Sequence, residues 1–121
     1  MIEILPLSKK AVLAIRATGK LTTEDYEDIL IPKLNELFKT FGKLNVLIEF
    51  ADDFSCWAST AAAWDDLKIG LEHPNDFTKL ALVGAPDWVV WGMQFYGLFV
   101  KGQVRSFDTG QTNEALAWLE E

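Results

Sequence analysis

The sequence predicts an α/β fold: one domain over residues 1–121 with a mixed, mostly parallel five-stranded sheet covered by helices, in the order β-β-α-β-α-β-α-β-α. Three observations predict it. Strand-like runs alternate with segments of helical periodicity through short connections, which is typical of parallel sheets with right-handed crossovers. The run at 44–50 is nearly continuous in apolar residues, as expected of a strand covered on both faces, and 77–84 is predicted as another buried strand. The chain has 121 residues, half of them hydrophobic, which fits one globular domain.

The N-terminal residues predict an antiparallel pair of strands. Two apolar, partly β-branched runs, at 2–6 and 11–18, flank a polar turn at 8–10. Gly19 and Lys20 are expected to end the second strand. Because the connection is short, the two strands should run in opposite directions.

A helix with a clear start and stop follows. Thr22 is at the expected N-cap and Asp25 lies three residues later, as in a capping box. Apolar residues then recur at helical spacing up to Phe41, and Gly42 is a stop signal. Pro32 has no amide proton to donate inside this helix, so we expect a kink immediately before it.

The remaining predicted elements alternate between strand and helix. In chain order they are a strand at 44–50, a loop at 51–55, an alanine-rich helix at 57–71, a strand at 77–84, a helix at 86–100, a strand at 103–107 and a helix at 112–119. Glycine and proline residues mark most of the boundaries.

Composition excludes several classes of function. Eleven basic against eighteen acidic side chains give a net charge of −7, which opposes binding to nucleic acid. The single cysteine and single histidine exclude a disulfide within the chain and a zinc site built from cysteines or several histidines. No glycine-rich phosphate loop follows any strand. We therefore expect no metal and no cofactor.

Catalytic residues are weakly indicated. A nucleophilic arrangement would need Ser55 or Cys56 paired with His73, and a hydrolase of this kind is the least supported of three hypotheses. His73 lies where a helix ends and is more simply a solvated residue near the helix C-terminus. Cys56 has no basic neighbour in sequence to activate its thiol. We expect the protein not to be an enzyme.

Carboxylates follow two of the predicted parallel strands. Asp52 and Asp53 come after the strand at 44–50, and Asp87 follows the strand at 77–84. Ligands of open α/β sheets bind beyond the carboxyl ends of the strands, so these side chains have the right placement for a cation or a basic group. Aspartate is also a strong N-cap residue, and we favour capping. Asp65 and Asp66 lie within a predicted helix and are interpreted as part of its solvated face.

The aromatic residues form the most unusual pattern. Five tryptophans occur in the chain, and the predicted 86–100 helix is apolar almost all the way round. Such a helix is covered by a partner subunit, a ligand or lipid, a bilayer interface, or an unusually large core. One stripe of it, together with two tryptophans of the preceding helix, is the candidate ligand-binding set: Trp57, Trp64, Trp88, Trp91, Phe95 and Phe99.

Several short sequence motifs are shared with a known family. They are 19–26 (GKLTTEDY), 30–32 (LIP), 64–68 (WDDLK), Val83-Gly84 with Trp88 and Trp91, and Glu114-Ala115 with Trp118-Leu119. In these motifs, which are spread over almost its whole length, the chain resembles the SpoIIAA-like family. The resemblance implies a fold similar to STAS domains and to the lipid-binding CRAL-TRIO fold, in agreement with the element order above.

The resemblance implies two directions for function. STAS antagonists of anti-sigma factors are switched by phosphorylation of a serine in an Asp-Ser-Ser-Gly-like turn at the start of the second helix. That motif is absent here, and Ser55 is the candidate phosphorylation site by position. The CRAL-TRIO likeness implies instead an apolar pocket with peripheral membrane contact.

These observations predict a non-enzymatic binding domain for an apolar or lipid-like small molecule; the alternative is a STAS-type protein–protein regulatory module. We expect a homodimer or membrane contact through Trp88, Trp91, Tyr96 and Phe99. The N-terminal residues lack the pattern of a signal peptide, and no apolar run reaches the ~18–20 residues of a membrane span. We expect a cytoplasmic protein, peripheral to the inner face of the membrane when it binds lipid.

Overall fold

The computed structural model describes residues 1–5, 11–57, 77–89 and 103–120, with the backbone alone at 56–57. Its elements in chain order are β1 (Ile2–Ile4), β2 (Val12–Ala17), β3 (Lys20–Leu21), a π-helical segment (Asp25–Leu30), α1 (Ile31–Phe41), β4 (Leu44–Phe50), β5 (Cys56–Trp57), β6 (Phe77–Val83), β7 (Gln103–Phe107) and α2 (Thr112–Glu120). Residues 87–89 are also helical. The rest of the predicted helices at 57–71 and 86–100 lies outside the described residues.

Five strands form the sheet predicted from the sequence. Their order is β1-β2-β4-β6-β7, with β1 antiparallel to β2 and the other neighbouring pairs parallel. In the central pair Ala17 is opposite Phe50. Because four strands point the same way, their carboxyl ends share one edge, which we call the carboxyl edge.

A second, two-stranded parallel ladder corrects one prediction. Lys20–Leu21 pairs with Cys56–Trp57, so Trp57 is in a strand and does not begin a helix. The chain leaving β4 runs beside the chain leaving β2, where the Ser55 amide donates to the Gly19 carbonyl at 2.9 Å. Cys56 and Trp57 continue this pairing, which satisfies hydrogen-bonding groups of their backbone. The pairing therefore favours extended backbone over a helix that begins at Trp57.

The predicted capping box is confirmed. The Asp25 amide donates to the Thr22 hydroxyl oxygen at 3.2 Å, and the Asp25 carboxylate accepts from the Thr22 amide at 2.8 Å. The same carboxylate, in a residue only 8% exposed, also accepts from the Ile2 amide and lies 3.3 Å from the α-ammonium of Met1. Asp25 therefore joins the helix start to the first strand.

Pro32 changes the hydrogen-bond pattern of the helix at the predicted place. The turn before it is π-helical, and the Ile31 amide donates to the carbonyl of Tyr26, five residues back. In an α-helix the ring of Pro32 would crowd the carbonyl of Asp28. A wider turn relieves that crowding, so the expected disturbance takes the form of a π-helical segment followed by α1.

The sheet is covered on both faces. Alternate residues of β2 and β4, including Leu13 and Val46, pack against the π-helical segment and α1. The intervening residues, including Ala14 and Leu47, pack against α2. This arrangement confirms that the apolar run at 44–50 is a strand with two buried faces.

Two polar side chains of the sheet hold the end of α2. Asn45 of β4 donates through Nδ2 to the carbonyl of Leu119 at 2.8 Å. Lys79, its register partner in β6, donates through Nζ to the carbonyl of Trp118 at 2.9 Å and lies 5.3 Å from the centroid of that indole. The last carbonyls of a helix have no partner within it, so these contacts satisfy groups that would otherwise be unpaired.

Replacing Lys79 with methionine should test this contact. The substitution keeps most of the apolar stem but removes the charged donor at the helix terminus. We expect the free energy of unfolding to fall by about 1–2 kcal/mol, measured by urea denaturation. Lys43→Met, at an exposed position, is the control and should change stability by less than about 0.5 kcal/mol. Equal losses in the two variants would contradict the role given to Lys79.

Candidate functional site

The carboxyl edge is the part of the molecule where a ligand of an open α/β sheet is expected. Loops follow β2, β4, β6 and β7 there. The first two are tied together: the Ala51 amide donates to the Ala17 carbonyl at 3.0 Å, and Asp53 Oδ1 accepts from the Gly19 amide at 3.4 Å. The edge is therefore built from loops that support one another.

The loops after β6 and β7 meet at Gly84. Its amide donates to the Phe107 carbonyl at 2.9 Å, and its φ is +70°, a left-handed conformation that favours glycine. A Cβ built at this position would lie 2.7 Å from Thr109 Oγ1 and 3.5 Å from the Phe50 carbonyl oxygen. Glycine thus allows the ends of three strands to meet.

Three aromatic rings lead from the core to the surface at this edge. The ring centroids of Phe50 and Phe54 are 4.8 Å apart with an interplanar angle of 72°. Phe54 and Trp88 stack with centroids 6.1 Å apart and an angle of 18°. Both phenylalanines pack against the buried core, whereas Trp88 is 47% exposed. We call Phe50, Phe54 and Trp88 the aromatic series.

The carboxylates of the edge are mostly not helix caps. Asp53 binds the amide of Gly19, so the capping interpretation is wrong for this residue. Asp87 is the first helical residue and lies inside the first turn, where the helix dipole stabilises its negative charge. Asp52 is exposed in the turn after β4. Within the described ranges, no group of three or more histidine, cysteine or acidic residues is arranged to hold a metal ion.

The comparisons with known proteins agree with this architecture. The SpoIIAA-like family profile matches residues 12–120. The chain belongs to the SpoIIAA-like family. A crystal structure of an uncharacterized protein from the DUF3478 family of Shewanella loihica PV-4, with a SpoIIAA-like fold, is 32% identical to it. That similarity covers 98% of this chain and 92% of the other, with a TM-score of 0.76. Among curated proteins none matches significantly.

Ser55 of this SpoIIAA-like protein is exposed at the carboxyl edge. Its amide is bonded to Gly19, and the two residues after it form β5. Ser55 thus precedes a strand, and the backbone amides of a helix N-terminus do not follow it directly. A phosphate on Ser55 would lack the local stabilisation that such a terminus provides.

The structure describes only two residues of the ligand site predicted for this family member. Trp88 is at the edge in the aromatic series, and the backbone of Trp57 lies in β5 beside β3. The other candidates lie outside the described residues: Trp64, Asp65, Asp66, His73, Trp91, Phe95, Tyr96 and Phe99.

Sequence patterns missed Phe50 and Phe54 as members of the site. The sequence predicts Phe50 only as the end of a buried strand and Phe54 only as a loop residue. Their spacing of four residues around a strand end is the signal that was available, because a tight turn returns the second ring over the first. The contact between Phe54 and Trp88, 34 positions apart, has no such local signal.

Proposed function

We propose that this SpoIIAA-like protein is a non-enzymatic binding domain that holds an apolar or lipid-like small ligand at its carboxyl edge. The observation that carries the proposal is the aromatic series, which ends in a half-exposed indole stacked on a partly buried ring. Small-molecule sites are lined mainly by apolar and aromatic side chains with few polar groups. Loops that support one another hold the series in place.

The energetics of Trp88 support an apolar ligand. Its indole is anchored on one side by Phe54, so little side-chain freedom is left to lose when a ligand binds. Covering the exposed part of a large aromatic side chain contributes on the order of 1.5–3 kcal/mol. Such a contribution suits reversible binding of a small molecule.

We propose that the site also includes side chains of the predicted helix at 86–100. Trp91, Phe95 and Phe99, with Trp57 and Trp64, would form the remaining walls of the pocket. The surface formed by Trp88, Trp91, Tyr96 and Phe99 would contact a second copy of the chain or a membrane surface. No helix in the described part of the chain is long and apolar enough to cross a membrane, and the proposed attachment is peripheral.

Trp88→Ala tests the proposal with monoolein, an uncharged amphiphile, as the probe, by displacement of an uncharged fluorescent dye. We expect the dissociation constant to rise about ten- to hundredfold, because the variant loses most of the apolar contact area of the indole. Phe41→Ala is the matched control. Phe41 is 45% exposed but precedes β4, at the opposite edge of the sheet, and its loss should leave binding unchanged.

Unchanged affinity in Trp88→Ala would contradict a site at the carboxyl edge. Failure of the wild-type protein to bind monoolein or phospholipid would favour the alternative, a STAS-type protein–protein regulatory module. In that case Trp88 would contact a protein partner, and Trp91→Asp should abolish the interaction without any dependence on lipid.

A further inference from the structure

We propose that β7 is a docking edge for an extended segment of another protein, a segment with acidic side chains at alternate positions. The segment pairs antiparallel with β7 and adds a strand to the five-stranded sheet. This surface runs along the side of the sheet, away from the aromatic series, so the inference does not depend on the proposed function.

The backbone of β7 has hydrogen-bonding groups that point away from the sheet. β7 is the last strand of the described sheet, and its described partner is β6. The Phe107 carbonyl accepts from the Gly84 amide at the end of β6, so the backbone groups of Phe107 point toward β6. Successive residues of a strand alternate in this direction. The groups of Arg105 therefore point toward β6 as well, and those of Val104 and Ser106 point outward.

The outer side of β7 is open to another strand. Arg105 and Ser106 are exposed and Val104 is half-buried. Within the described part of the chain, no hydrogen bond is found to the outward amide and carbonyl groups of Val104 and Ser106. An extended peptide that pairs with such an edge gains main-chain hydrogen bonds, and its alternate side chains determine specificity.

The side chain of Arg105 provides a positive charge beside this open backbone. Its guanidinium carbon is 5.1 Å from the ring centroid of Phe107 and 6.0 Å from that of Trp118 in α2. Contact with two rings restricts the guanidinium, so less side-chain freedom is lost when it binds an anion. None of the ion pairs found among the described residues includes Arg105. Its donors are therefore available to a carboxylate of a partner strand.

The direction of the backbone groups determines where that carboxylate lies. In an antiparallel pair, the partner residue opposite Arg105 is in a non-hydrogen-bonded pair, because the groups of Arg105 point toward β6. Directly opposite side chains have Cβ atoms about 4.5–5.5 Å apart and are closest in such pairs. A glutamate there lies beside the guanidinium. Its two neighbours pair with Val104 and Ser106, and the half-buried side chain of Val104 favours an apolar neighbour.

The charge of Arg105 disfavours a second copy of this chain as the occupant. Antiparallel pairing of two β7 strands about their centres would place Arg105 opposite its own copy, and like charges directly opposite are destabilising. A basic side chain is a known protection of edge strands against such pairing. An acidic partner strand is attracted instead. Because the whole chain has a net charge of −7, a preference for acidic peptides must come from the local charge at β7.

Two nine-residue peptides test the inference, one of alternating valine and glutamate and one with lysine in place of each glutamate. Each carries a fluorescent label, and binding to the full chain is measured by fluorescence anisotropy. We expect the glutamate peptide to bind about tenfold more tightly, because a charge-assisted hydrogen bond forms only with it. Methylating its valine amides, which face β7 in the antiparallel arrangement, should abolish binding. Methylating its glutamate amides, which face outward, should not.

Three variants of the protein test the residues. Arg105→Glu should reverse the order of the two peptides. Lys39→Glu is the matched control, because it changes the net charge equally at an exposed position of α1, and it should keep the order. Ser106→Pro removes an outward amide without removing a hydrogen bond to β6, and proline is tolerated in edge strands at such positions. It should weaken binding of the glutamate peptide at least tenfold.

Every other outcome contradicts the inference. If the lysine peptide binds more tightly to the wild-type protein, net charge governs binding. If Lys39→Glu also reverses the order, Arg105 is not the recognising residue. If Ser106→Pro or methylation of the valine amides leaves binding unchanged, the peptide does not pair with β7 in the proposed arrangement. If neither peptide binds, Arg105 only protects the edge. The peptide comparisons need no variant of the protein, and the proposed function is tested separately by monoolein.

Discussion

Gly84→Ala is expected to lower the free energy of unfolding by about 2–3 kcal/mol, because an alanine there is strained in two ways. The backbone at φ +70° costs a residue with a Cβ roughly 1–2 kcal/mol. The new Cβ would also lie 2.7 Å from Thr109 Oγ1, so this side chain must rotate or the loop after β7 must move. The measurement is chemical denaturation of the wild-type and variant proteins.

Two further variants divide this loss into its causes. Gly19 has a φ of +60° with no atom within 4 Å of an added Cβ, so Gly19→Ala should show the backbone cost alone. Adding Thr109→Ala to Gly84→Ala should recover the part caused by crowding. If Gly84→Ala and Gly19→Ala are equally destabilised, crowding against Thr109 makes no contribution.

Asp25→Ala should cost about 2–3 kcal/mol of stability. The carboxylate accepts hydrogen bonds from the Thr22 amide and hydroxyl and from the Ile2 amide, and it lies 3.3 Å from the α-ammonium of Met1. Removing it leaves donors without a partner at the helix start and next to β1. Asp28→Ala, at an exposed position in the same helical segment, is the control and should cost much less.

The contribution of Asp25 depends on pH. Burial, the largest single influence, raises the pKa of its carboxyl group. Hydrogen bonds from the amide and hydroxyl of Thr22 and the nearby ammonium of Met1 together outweigh burial, so the pKa is lowered from its ordinary value of 3.8. The carboxyl group of Asp25 therefore binds a proton more readily in the unfolded chain than in the folded protein. The stabilisation that the ionised carboxylate provides is fully present above about pH 4. It is lost as pH falls below 3.8 through the folded pKa.

Comparing the stability of the wild-type protein with that of Asp25→Asn as a function of pH checks the direction of the pKa shift of Asp25. The stability difference between the two should be constant near neutral pH and should shrink as pH falls below about 4. A difference that stays constant down to pH 2 would show that the charge of Asp25 does not contribute to stability.

Much of the fold could be predicted because its signals are local. The apolar runs at 44–50 and 77–84 have the period and length of buried strands, and the capping box is read within four residues of Thr22. Pro32 marks where the helical hydrogen bonds change, because one residue determines both the lost donor and the crowding. The pattern does not distinguish a kink from a π-helical segment, since this depends on how the adjoining turn packs.

The site was less predictable because its contacts join distant parts of the chain. The sequence predicts Trp88 as a site residue because it begins the aromatic stripe of the predicted 86–100 helix. Phe54 belongs to the site only because the loop after β4 folds back over Phe50 and meets the start of another helix. Likewise Cys56–Trp57 is a strand because Lys20–Leu21 lies beside it, and nothing in its own sequence excludes a helix.

The two side-chain hydrogen bonds from the sheet to the end of α2 also affect how the chain folds. The hydrogen bond from Asn45 to Leu119 joins residues 74 positions apart, and that from Lys79 to Trp118 joins residues 39 apart. Loop closure over such distances makes these contacts slow to form. During synthesis Ala14 and Leu47 are made long before Ala115 and Leu119, which cover them. Until α2 emerges, the nascent chain lacks the cover that Ala115 and Leu119 give to this sheet face, and the apolar surface left open there is accessible to chaperones and to aggregation.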